Sequence, residues 1–98
     1  MPGLKDTVSL VKKAREIQRE LKNTEVEAAS NDGRVKVIFN GEQRLKSISI
    51  DESLLTPQNK IDLERSLTNV IGQAISKAQA VAAERMKEIA GDLKLPGF

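Results

Sequence analysis

The side chains in this chain that could carry chemistry are carboxylates and cations, and their arrangement favours the cations. The acidic pairs nearest in sequence are Glu25/Glu27, Asp51/Glu52, Asp62/Glu64 and Glu84/Glu88. Two carboxylates do general acid–base work only where burial or a close neighbour drives their pKa values apart. The surrounding pattern turns each of these pairs toward solvent, where both members stay ionised. There is no His and no Cys, which removes the commonest general base, the thiol nucleophile, thiolate metal sites and disulfides together. No Asp-rich loop has calcium spacing, and no Gly-rich segment has the form of a phosphate-binding loop. A catalytic function is not expected, and no cofactor, metal ion or small-molecule substrate is implied.

The cations are sorted. Residues 1 to 22 hold six basic and three acidic side chains and the remainder holds ten and eleven, so the net charge of +2 comes from the first segment. Projected at about 100° per residue, Lys5, Lys12, Arg15, Arg19 and Lys22 share an arc of roughly 100°, while Asp6, Glu16 and Glu20 collect on the other side. Such a face can be a solvated surface laced by neighbours such as Lys12/Glu16 and Glu16/Arg19, each pair contributing a few tenths of a kcal/mol. It can also displace counterions from a polyphosphate backbone, which gives sequence-independent duplex affinity with a steep salt dependence. Single strands are usually held by bases stacking on aromatic rings, and this chain has only Phe39, read as strand interior, and Phe98 in the tail. Double-stranded DNA is the expected polyanion. No Arg/Asn/Gln cluster suited to base edges stands out, so weak direct readout is expected.

These residues need elements to position them. Ninety-eight residues make one domain, 1–98, with flexible ends at 1–3 and 92–98. Leu4, Leu10, Val11, Ala14, Ile17 and Leu21 share one side of a helix running from Leu4 to Lys22. Three strands follow at Glu25–Ser30, Arg34–Asn40 and Arg44–Ile50. Asn31-Asp32-Gly33 turns the first pair, and Asn40-Gly41 fits a tight type I′ turn for the second. Ile48 and Ile50 mark one face of the third strand and Leu45 the other. Thr56-Pro57 supplies a capping hydroxyl and a first-turn proline for a second helix, which should run to Ala90 and stop at Gly91. That helix is about 50 Å long, against roughly 30 to 35 Å for a compact globule of this size. Either Gly72 bends it or its far end projects. Its apolar stripe, Leu63 to Ala82, outruns the sheet, so the open edges and the bare stripe favour homodimerisation. Arg85 interrupts the stripe near the far end. Either the stripe stops at Ala82 and Arg85 is solvated, or Lys77, Arg85 and Lys87 form a second basic cluster. No apolar run is long enough for a signal peptide or membrane span, so a cytoplasmic location is expected.

"VKVIFNG", "SISIDESLL", "AERMKEIAG" and the ending "LKLPGF", in this order and spacing, resemble the YbaB/EbfC family of small bacterial and plastid nucleoid-associated proteins. The resemblance covers nearly the whole chain. It implies an α+β subunit of order α-β-β-β-α, and a homodimer whose sheets join at the centre while helices project around DNA like the arms of tweezers. It implies nucleoid compaction and an influence on transcription. DNA contacts assigned to the projecting helices correspond here to Lys5, Lys12, Arg15, Arg19 and Lys22, together with Arg85 and Lys87. Glu52 stands where relatives often have Pro, which alters only a turn, and the Gly- and Met-rich start of many relatives is missing. The rival reading is a non-enzymatic interaction or assembly module whose apolar stripe docks a protein partner.

Overall fold

A computed structural model describes residues 4–93, with side-chain detail for 7–89. Helix α1 (Leu4–Asn23) leads into strands β1 (Glu25–Ala29), β2 (Val35–Asn40) and β3 (Leu45–Ile50). Two single 3₁₀ turns (Glu52–Leu54 and Pro57–Asn59) then precede helix α2 (Lys60–Leu93). The order is the expected α-β-β-β-α. The strands form one antiparallel sheet in the order β1-β2-β3.

Alternation on the strands builds the core. Val26 and Ala28 of β1 and Val35, Val37 and Phe39 of β2 point to one face and are buried, and α2 covers them with Val70, Ala74 and Ala78. Small residues at 74 and 78, four apart, let the helix axis approach the sheet closely. Leu63, Leu67, Ile71, Ile75 and Val81 pack around this centre while remaining half-buried.

Two turns hold the sheet to its surroundings. At Ser30–Gly33 the Gly33 N–H donates to Ser30 O (2.9 Å) and Gly33 takes φ +75°, which glycine accepts without strain. Asp32 is the centre of this turn. It accepts from the Arg34 amide (3.0 Å), the Ser30 hydroxyl (2.7 Å) and Arg34 Nε (2.8 Å). Arg34 Nη1 in turn donates to Ser53 Oγ (3.2 Å), and the Ser53 amide donates to Asp51 Oδ1 (2.9 Å). The Arg34 amide, followed by the Ser30 hydroxyl and the guanidinium, holds the Asp32 carboxyl far below the usual carboxylate range. Ser53, through its hydroxyl and then its amide, lowers that of Asp51. A folded pKa below the unfolded one contributes stability that is complete above the unfolded value and is lost as pH falls through the folded one. Chemical denaturation of Asp32→Asn should therefore show a weaker loss of stability between pH 5 and pH 3 than the parent, and an unchanged acid limb would contradict this role.

The second turn departs from expectation. Asn40-Gly41 does not form a two-residue type I′ turn: the loop is Gly41–Gln43, and Gln43, not Gly41, takes positive φ (66°). Buried Asn40 closes it, its Oδ1 accepting from the amides of Glu42 (2.9 Å) and Arg44 (3.0 Å) and its Nδ2 donating to Lys22 O (3.2 Å). Gly41 serves proximity instead, its N–H donating to Leu21 O (2.8 Å) at the end of α1. A one-residue bulge follows in β3. Ile38 pairs with Ser47 but Phe39 pairs with Leu45, leaving Lys46 as the extra residue. The bulge carries Leu45 onto the face of Ile48 and Ile50 rather than the opposite one, because an inserted residue shifts the two-residue alternation.

The ends of α2 also differ. Pro57 opens a 3₁₀ turn and the α-helix begins at Lys60. The Thr56 hydroxyl caps no amide and accepts from Asn59 Nδ2 (3.0 Å). Gly91 does not stop the helix, which continues to Leu93. A glycine weakens a helix interior by about 1 kcal/mol but ends it only by adopting the left-handed conformation. Of the expected flexible ends, Asp92 and Leu93 are helical, and 1–3 and 94–98 lie outside the described residues. Helix α2 runs unbroken through Gly72, so of the two alternatives the far end projects. The chain measures 64 × 24 × 15 Å with a radius of gyration of 18.6 Å, against about 12 to 13 Å for a compact chain of this length. Around Gly72 a new Cβ would meet nothing within 4 Å. Gly72→Ala should raise stability by about 0.5–1 kcal/mol in thermal or urea unfolding; a loss would mean that the glycine is needed for close approach.

Candidate nucleic-acid interface

The projecting part of the molecule is α2 beyond its contact with the sheet, with α1 packed beside it. The two helices are tied by charge as well as packing. Ile17 and Leu21 of α1 are buried. Near them Arg85 of α2, 33% exposed at its side chain, donates from Nη2 to Glu20 Oε2 on α1 and from Nη1 to Glu88 Oε1 (2.8 Å). Neither sequence alternative describes this arrangement fully: Arg85 lies in the seam between helices with its charge answered by two carboxylates. Lys87 pairs with Glu84 (3.5 Å), and Lys77 donates to Glu27 O of β1 (3.0 Å). Lys77, Arg85 and Lys87 thus face three different neighbourhoods.

The α1 stripe is different. Lys12, Arg15, Arg19 and Lys22 are exposed, and among the described residues none has a hydrogen bond or ion pair from its side chain. The pairs Lys12/Glu16 and Glu16/Arg19 that would have neutralised the face do not form, and Glu20 is drawn to Arg85 instead. The result is a run of four uncommitted cations along about three turns of one helix. Lys5 continues it in sequence, but its side chain lies outside the described residues.

The carboxylates show no comparable gathering. Glu25, Glu27, Asp51, Glu52, Asp62, Glu64, Glu84 and Glu88 are all exposed; Glu64 pairs with Lys60 (3.2 Å), Glu84 with Lys87 and Glu88 with Arg85. No helix among the described residues is long and apolar enough to cross a membrane.

A sequence model of the YbaB/EbfC DNA-binding family matches residues 3–93. The chain belongs to this family. Among its relatives, a nucleoid-associated protein of Bradyrhizobium sp. (strain ORS 278) is 43% identical over 96 residues, covering 97% of this chain and 91% of the relative. A nucleoid-associated protein of Myxococcus xanthus is 31% identical and aligns over 100% of this chain and 99% of its own. The crystal structure of an uncharacterised protein from Helicobacter pylori, 26% identical, superposes with a TM-score of 0.65 over 93% of this chain and 99% of that one. The YbaB/EbfC assignment agrees with the hairpin and helix-start motifs, and it makes DNA the ligand class against which the free cations of α1 are to be judged.

Two features of the interface escaped sequence reasoning. Val8 and Val11 are 52% and 45% exposed on α1, although Val11 was placed on the buried face. The signal was present in the periodicity: Leu10, Ala14, Ile17 and Leu21 form a narrower stripe that excludes both valines. The other is the Glu20–Arg85 clasp, which joins residues 65 apart and has no local signature.

Proposed function

We propose that this chain binds double-stranded DNA as a homodimer, chiefly through phosphate contacts from Lys12, Arg15, Arg19 and Lys22, with Lys5 extending the stripe and Arg85 and Lys87 contributing at its margin. The observation that carries the reading is the absence, among the described residues, of any acidic partner for Lys12, Arg15, Arg19 and Lys22. Cations already paired release few counterions on meeting DNA, whereas unpaired ones release close to one each. In this reading the protein sits on the nucleoid, in keeping with the names of its relatives, and from there compacts it and influences expression of the genes it covers.

Support for self-pairing comes from β3. It is an edge strand whose Leu45 and Ile48, each 46% exposed, lie on the core face but beyond the cover of α2, next to a free row of backbone groups. Such an edge is a template for another strand, and pairing two copies covers both apolar faces at once. Ile48→Glu should convert a dimer to a monomer in sedimentation and weaken DNA retention by removing the second arm. A parent that sediments as a monomer, or a dimer indifferent to the substitution, would remove this part of the proposal.

A further inference from the structure

The α1 face that carries the free cations also carries the two exposed valines, and ordinary solvation accounts for only the cations. At about 100° per residue, Val8 lies between Arg15 on one side and Lys12 and Arg19 on the other, and Val11 lies beyond Arg15, one turn along the same exposed surface. The surface therefore has apolar ground with cations beside and between. Two apolar groups set among unpaired cations make a mixed surface, and the charge around them selects the partner that fits it. With no carboxylate among the described residues bonded to Lys12, Arg15 or Arg19, the complementary surface is a polyanion with apolar groups recessed between its charges. Duplex DNA has that form in its major groove, where an α-helix fits between two phosphate walls and the thymine C5-methyl is the apolar group on the floor.

We propose that Val8 and Val11 read thymine methyl groups in the major groove, giving the α1 stripe a preference for A·T-containing duplex that its phosphate contacts alone could not supply. The inference rests on the DNA-binding reading above and adds to it a source of base readout. Valine suits the task because its branched side chain has little rotamer freedom to lose on contact. The cations set affinity and salt dependence while the valines set composition preference, so the two can be separated by experiment.

The test uses two duplexes of the same A·T-rich sequence, one with thymine and one with uracil, which differ only by the methyl group. Binding is measured at one salt concentration for the parent and for Val8→Ser/Val11→Ser, whose folding is checked by circular dichroism. The expected result is weaker binding of the parent to the uracil duplex, by about fourfold for each methyl buried, with no discrimination by the double variant. Equal binding of both duplexes by the parent overturns the inference while leaving the DNA-binding reading intact. Equal discrimination by parent and variant overturns it too, because the methyl would then be sensed elsewhere or through duplex shape. Failure of the parent to bind either duplex at low salt overturns the reading on which the inference rests.

Discussion

Replacing Lys12, Arg15 and Arg19 together with Ser lowers duplex affinity on the order of a hundredfold at 0.1 M salt and flattens the slope of log K against log salt by about three, or by twice that if both arms of a dimer engage. The reasoning follows from their environment. Each side chain is exposed and unpaired among the described residues, so each releases close to one counterion from a phosphate it meets. None contributes to the core, which leaves folding and self-association as they were. Surface substitutions of this kind change stability by only about ±0.5 kcal/mol. A binding titration at four salt concentrations, with sedimentation of the same samples, checks both halves of the expectation. An unchanged slope would show that DNA lies on another face.

Gly41→Val should cost about 2–3 kcal/mol of folding stability. A Cβ at position 41 would stand 2.8 Å from Leu21 Cδ2, 2.9 Å from Leu21 O and 3.1 Å from Leu21 Cα. The side-chain carbon can swing away, but the carbonyl and Cα cannot move without shifting α1. The same displacement breaks the bond from Gly41 N–H to Leu21 O and disturbs the loop that Asn40 closes. With a urea m-value of about 1–3 kcal/mol per molar, the midpoint falls by roughly 1 M or more at fixed protein concentration. A variant as stable as the parent would mean that α1 is not seated on the β2–β3 loop.

This residue shows what the sequence could and could not disclose. Asn-Gly between two alternating runs reads as a tight turn because that is the local role the dipeptide fills most readily. Here a tertiary demand prevails: the glycine makes room for Leu21, and Gln43 takes the left-handed position in its stead. Elements with strong period were legible almost to the residue, α1 at Leu4–Asn23 and β2 at Val35–Asn40 among them. The bulge at Lys46 was not, since a single inserted residue leaves no mark on composition and changes only which face Leu45 occupies. The basic stripe was legible from spacing. Its freedom from Glu20 was not, because that depends on Arg85, far along the chain, taking Glu20 for itself.

The clasp also bears on how the interface is presented. By fixing α1 against α2, it sets the direction in which the cations face. Glu20, held by Arg85, consequently screens the stripe less than its place on α1 suggests. The two helices can then act as one arm, with the positive charge outward along α1.

The most direct measurement is the salt titration of the unmodified protein on a mixed-sequence duplex. Strong retention in dilute salt that falls along a line of slope about −4 or steeper is the predicted result, as four or more phosphates per bound molecule require. Retention indifferent to salt, or none at the lowest concentration, would contradict the claim that unpaired cations on α1 hold the DNA.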